Sequence, residues 1–216
     1  MRLFFSGEVW HIFNKSIAGF KIFAQRRFAL RFLKSLVFYN TAKYKGSFSK
    51  YMRQEGLSLP EVLAPVKKAI VKVIAYCVMP DHYHLMAKVQ KGDKVSKLIG
   101  DIENSFTRFF NLTVKRKGPL WESRFKAVRV DDDSYFSHLT RYIHLNPVSD
   151  GLVDKPEDWE FSSYKDYITD PKVLKKYITE IEIDSPERYK RFVHDRLEYQ
   201  KYLKKIRRFL REDSRS

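Results

Sequence analysis

Apolar positions recur in two different periods along this chain, and the switches between them outline its elements. Residues 8–13 read as a strand, and after a loop holding Gly19, Phe28, Phe32, Leu36 and Tyr39 keep helical spacing over about 24–39. The stretch 41–60 is polar and punctuated by glycine, which predicts a loop with a short helix. Residues 71–79 form a run rich in β-branched and aromatic side chains that stops at the turn signal Pro80-Asp81. His82–Val89 resumes it, so the two predict a hairpin. Leu98, Ile102, Phe106 and Phe109 place a second helix at about 95–114, stopped by Lys117-Gly118-Pro119, and 125–130 is a further strand. Asp133 or Ser134 is positioned to cap a third helix, with Phe136, Leu139 and Ile143 turned inward and Asn146-Pro147 ending it.

This order, β-α-β-β-α-β-α, describes an α+β fold: an antiparallel sheet with helices packed on it, close to the split βαβ pattern. Beyond Gly151 the pattern weakens, and 186–210 predicts a separate basic helix. The expected division is a main domain over 1–170 and a basic helical C-terminal extension over 171–216.

Composition narrows the partners. At 216 residues and 44% hydrophobic content the chain can bury a core. A net charge of +16 with pI near 9.8 points to a polyanion. No acidic residue lies between Glu8 and Glu55, where Arg26, Arg27 and Arg31 sit among Phe and Tyr, and 188–211 is basic again. Solvated helix faces explain most charge runs, but basic residues interleaved with aromatics favour nucleic acid. The single Cys77 excludes an intramolecular disulfide and a multi-cysteine zinc site. With neither a signal-peptide core nor a stretch of membrane-span length, the expectation is a cytoplasmic protein without a membrane partner.

His82-Tyr83-His84 is the strongest local signal for chemistry. Residues two apart on a strand share a face, so both imidazoles can converge on one ion. Alone, such a pair is more often two polar-face residues. On the third helix Tyr142 and Asn146 are one turn apart, with His138 a turn earlier, on the side away from Phe136, Leu139 and Ile143. A surface aromatic and a helix cap before Pro147 would account for them equally well.

Three segments resolve the choice. Met79-Pro80-Asp81-His82-Tyr83-His84-Leu85-Met86, Gly118-Pro119-Leu120-Trp121-Glu122-Ser123-Arg124-Phe125-Lys126, and Arg141-Tyr142-Ile143-His144-Leu145-Asn146-Pro147-Val148 with Gly151-Leu152-Val153 resemble, in order and spacing, the signatures of HUH-class transposases that use a single tyrosine. The likeness spans roughly 8–167 and is best for the REP-associated tyrosine transposase branch. It departs at Asp81, where Asn is commoner, and at Tyr83, where the family has an aliphatic residue; after Pro171 no counterpart aligns.

The resemblance implies a ferredoxin-like HUH nuclease core. It further implies one divalent cation, Mg2+ or Mn2+, held by His82, His84 and Asn146, and Tyr142 as the nucleophile that cuts and rejoins single-stranded or hairpin DNA through a 5′-phosphotyrosine. Arg124, Lys126 and Trp121, with Arg26, Arg27 and Arg31, are the candidates for the DNA path, although a Trp is more often core. Related enzymes occur as monomers and as homodimers with shared sites. A non-cleaving hairpin-binding protein and a rolling-circle initiator or relaxase are the rival readings. The basic tail reads either as a DNA-holding arm, which is favoured, or as a helix packed on the domain.

Overall fold

The computed structural model describes residues 3–41, 46–56, 58–172 and 185–199. In chain order these form β1 (Val9–Lys15), α1 (Arg26–Tyr39), α2 (Phe48–Glu55), β2 (Val71–Val78), β3 (His82–Val89), α3 (Gly92–Thr113), β4 (Lys126–Val130), α4 (Asp133–Ser149), α5 (Tyr164–Thr169) and α6 (Pro186–His194). Contacts divide the chain into two units, Met1–Val130 and Asp131–Ser216. The boundary expected at 170/171 falls inside the second of these.

In the first unit the strands lie in the order β2-β3-β1-β4, every neighbouring pair antiparallel. β1 and β2 therefore run parallel with β3 inserted between them, the split βαβ arrangement, and α1 with α2 makes the crossover. Its ferredoxin-like strand order is the one expected. The β2–β3 hairpin closes where Met79 N–H donates to the His82 carbonyl at 2.8 Å. A register shift between Val73 and Ala75 bulges β2.

One face of the sheet is covered by α1 and α3. Phe32 of α1 meets Tyr83 of β3 at 4.8 Å and Phe106 of α3 at 5.8 Å between ring centroids. Leu98, Ile99, Ile102 and Phe106 of α3 are buried, as the helical period requires. Inside this apolar layer lies one carboxylate, Glu103. Its Oε1 accepts from Asn14 Nδ2 at 2.9 Å and from the Tyr83 hydroxyl at 2.8 Å. Burial pushes its pKa up to about 7, with the two hydrogen bonds pulling the other way.

The second unit is built around α4. Its cap is Asp132, one residue earlier than expected, whose side chain accepts from Tyr135 N–H at 2.7 Å. The helix also runs through Pro147 to Ser149 rather than ending before it. What stops it is the turn at Gly151: with φ of 69° there, Leu152 N–H reaches the Pro147 carbonyl at 2.9 Å and Gly151 N–H the Val148 carbonyl at 3.0 Å. Such a closure needs a left-handed residue, which glycine adopts without strain. α6, capped by Ser185, buries Tyr189 and Val193 completely. The tail is thus a packed helix over 186–194. Leu203, Ile206 and Leu210 lie outside the described residues.

Candidate active site

His82 and His84 stand on one face of β3, their ring centroids 5.0 Å apart. Paired residues of an antiparallel sheet share a face, so the register identifies the rest of that surface. Lys15 is opposite His82, Phe13 opposite His84 and His11 opposite Met86. On β4, Lys126 is opposite Phe13 and Val128 opposite His11. This is the face away from Tyr83, Asn14 and the helices α1 and α3.

Both imidazoles are held through Nδ1. His82 Nδ1 lies 2.5 Å from Asp81 Oδ1, and Asp81 Oδ2 lies 3.6 Å from Lys15 Nζ. Burial alone would raise the Asp81 carboxyl, but the His82 hydrogen bond and the charges of His82 and Lys15 outweigh it and hold the group below the usual carboxylate range. His84 Nδ1 lies 2.9 Å from His11 Nε2, and the His11 ring stacks on Phe13 at 4.7 Å. Burial takes His11 down to about 4, so it is neutral near pH 7.

Backbone bonds lock the surrounding loops. Ser16 N–H donates to the Asp81 carbonyl and Phe23 N–H to the Pro80 carbonyl, both at 2.8 Å, and Glu122 N–H donates to the Lys15 carbonyl at 2.9 Å. Two of the three signature segments, those around His82 and Trp121, are brought together in this way.

Among the described residues no three His, Cys, Asp or Glu side chains gather as a metal cage. The donor set on the sheet is instead two imidazoles. With Nδ1 of each engaged, ligation falls to Nε2, the arrangement in which outer groups orient metal-binding histidines. Two imidazoles completed by oxygen donors suit Mn2+, and Mg2+ where oxygens make up most of the shell. The residues present therefore fit the implied cation.

Tyr142 and Asn146 belong to the second unit. Tyr142 is 37% exposed while its neighbours Arg141 and 143–148 are buried, so its phenol reaches solvent from an otherwise buried stretch of α4, as that of Tyr135 does two turns earlier. Asn146 is 1% exposed, and its Nδ2 donates to the Tyr142 carbonyl at 2.8 Å. A carbonyl only accepts, which assigns the amide nitrogen to it and leaves Oδ1 as the atom Asn146 could offer a cation.

Between these two residues sits His144, fully buried. Its Nδ1 is 2.6 Å from the Tyr189 hydroxyl and its Nε2 2.8 Å from Ser163 Oγ. Burial among Tyr164, Tyr167 and Tyr189 lowers it to about 3. Arg141 stacks on Phe192 at 4.3 Å, donates to the Phe192 carbonyl at 3.2 Å, and lies 2.5 Å from His138 Nδ1.

The basic candidates divide. Arg26, Arg27, Arg124 and Lys126 are exposed. Arg31 is half-buried, its guanidinium 3.9 Å from the Phe109 ring centre and 4.8 Å from that of Phe48, so it ties three helices together. Trp121, expected on the DNA path, donates from Nε1 to Thr107 Oγ1 at 3.0 Å and joins the cluster of Phe23, Phe32, Tyr83 and Phe106. Sequence reasoning missed His11 and the partnership of Asp81 with His82. The parity of β1 against β3 carried the first, and adjacency to His82 the second.

Comparison with known proteins follows the same lines. The family described as Transposase IS200 like matches residues 38–146. A Haemophilus influenzae protein provisionally named a REP-associated tyrosine transposase is 29% identical over 103 residues, 43% of this chain and 58% of that relative's length. The REP-associated tyrosine transposase of Escherichia coli is 24% identical over 135 residues, 62% of this chain and 79% of the relative. A solved REP-associated tyrosine transposase bound to a REP hairpin superposes with a TM-score of 0.52 at 20% identity, covering 78% of this chain and 83% of that one, which shows the shared fold.

Proposed function

The chain belongs to the IS200-like transposase family, and from that premise we propose that it cuts and rejoins single-stranded DNA next to a hairpin, with a divalent cation and Tyr142 as nucleophile. The observation that carries this reading is the pair His82 and His84, set on one sheet face with each Nδ1 tied to an orienting partner. The solved relative's REP hairpin supports a hairpin substrate.

His82 and His84 would hold Mg2+ or Mn2+, with Oδ1 of Asn146 as the third protein ligand that the family resemblance implies. When bound, the cation polarises a non-bridging phosphate oxygen and stabilises charge on the leaving 3′-oxygen. Tyr142 Oη attacks phosphorus: the new Oη–P bond forms as the bond to the 3′-oxygen breaks, leaving a 5′-phosphotyrosine and a free 3′-hydroxyl. A phenol of pKa about 10 is a weak nucleophile at neutral pH, so its reactivity depends on positioning and on nearby positive charge. The ester retains the energy of the phosphodiester, and attack by a 3′-hydroxyl reverses the step and joins strands. Lys126, on the histidine face, and exposed Arg124 neutralise phosphates along the strand, while Arg26 and Arg27 extend the positive surface on α1.

Incubation with hairpin-bearing oligonucleotides, single- and double-stranded, with Mg2+ or Mn2+ tests the proposal. The expected result is a covalent protein–DNA adduct with single strands only, lost with EDTA. Tight hairpin binding with no adduct under any metal would establish the non-cleaving alternative instead.

A further inference from the structure

His11 lies outside every signature segment, yet it is a buried polar side chain on the candidate metal face. It sits on β1, opposite Met86 and diagonal to His84 in the register. Its Nε2 is 2.9 Å from His84 Nδ1, the two rings lie 5.1 Å apart at an interplanar angle of 25°, and Phe13 backs the His11 ring. The neighbouring histidine is held at the same ring position, by Asp81.

A contact of 2.9 Å between two ring nitrogens holds one proton, and the location of that proton decides what His84 can do. If His11 donates, His84 carries its own proton on Nε2 and cannot ligate there. If His84 donates from Nδ1, its Nε2 bears a lone pair. We propose that His11 is a positioning residue that accepts the Nδ1 proton of His84 and thereby fixes the ring's angle and the tautomer that binds the cation. The inference rests on the metal reading above. It gives β1 a part in the site: the Asp81 carboxylate orients His82, and a ring nitrogen of His11 orients His84.

Two variants of the full-length protein separate acceptor from packing. His11→Phe keeps a ring against Phe13 but removes the acceptor, and His11→Gln restores an acceptor oxygen. Long-range 15N–1H NMR of the metal-free protein should find the His84 proton on Nδ1 in wild type. Calorimetric Mn2+ affinity should fall about 10- to 100-fold in His11→Phe, with His11→Gln nearer wild type and hairpin affinity without metal unchanged. A His84 proton on Nε2 in wild type, or wild-type Mn2+ affinity in His11→Phe, would overturn the proposal. Should the Phe variant fail to fold, the NMR arm and the Gln variant still decide it. Because the NMR arm contains no metal, it judges the His11–His84 contact even if wild type takes up no Mn2+, the outcome that overturns the metal reading instead.

Discussion

His144 Nδ1 lies 2.6 Å from the hydroxyl of Tyr189, joining the helix that presents Tyr142 to the C-terminal helix α6. Tyr189 is fully buried, and truncating a buried aromatic to alanine costs about 3–5 kcal/mol. Removal of the chain after Ser185 should therefore destabilise the second unit and lower adduct formation, beyond any loss of phosphate contacts. Chemical denaturation of the truncated protein checks this; unchanged stability with only a flatter salt dependence would restore the view of the tail as a DNA-holding arm.

The same contact has a pH dependence. His144 is lowered to about 3 against an unfolded value of 6.5, so the unfolded state binds the proton more readily. Its contribution is complete above the unfolded value and is lost as pH falls from about 6.5 towards 3. Amides of α6 should exchange with deuterium faster, relative to intrinsic rates, at pH 5 than at pH 7.

Glu103 has the opposite sign. Its folded value of about 7 lies above the unfolded 4.5, so its contribution is fully present below pH 4.5 and is lost as pH rises towards 7, a change of roughly 3 kcal/mol at most. His11 and His144 gain over part of that window, so the wild-type profile alone does not isolate Glu103. Glu103→Gln keeps the oxygen that Asn14 and Tyr83 contact. The variant should be more stable than wild type at pH 8, and the difference should shrink towards pH 5. A pH-independent difference in melting experiments would contradict this.

For the chemistry, Tyr142→Phe removes one oxygen from an exposed side chain. Fold and hairpin affinity should persist while the adduct disappears. Mass spectrometry locating DNA on Tyr135 or another tyrosine would reassign the nucleophile. His82→Ala and His84→Ala should each abolish Mn2+ binding and cleavage while sparing most DNA affinity, since phosphate contacts dominate binding.

Lys126 shares the sheet face of His84, with Phe13 between them in the register, at roughly 10 Å for two strand spacings. Lys126→Ala should weaken single-strand binding and reduce the salt slope by about one unit, for all sequences alike. An unchanged slope in a salt titration would remove Lys126 from the DNA path.

Much of this protein was legible in one dimension, because strand and helix periods are local properties. The alternation through His82-Tyr83-His84 determined that the two imidazoles face one way and Tyr83 the other, and the hairpin at Pro80-Asp81 and the strand at Lys126–Val130 follow from local turn and β signals. The spacing of Tyr142 and Asn146 likewise set them one turn apart.

What the sequence left open depended on which distant surfaces meet. Trp121 and Arg31 carry the residue types of a DNA path, but packing around Phe23, Phe32, Phe48 and Phe109 engages them inside the first unit. Pro147 reads as a helix end, yet the Gly151 closure, made by residues past it, lets α4 continue to Ser149. The basic charge from 186 to 216 reads as an arm, while burial of Tyr189 and Val193 packs its first part, 186–194, as a helix. His11 gave no local signal at all. Only the β1–β3 register, a pairing across 73 residues of chain, brings its Nε2 to His84, and such a pairing is set by tertiary contacts rather than by any local period.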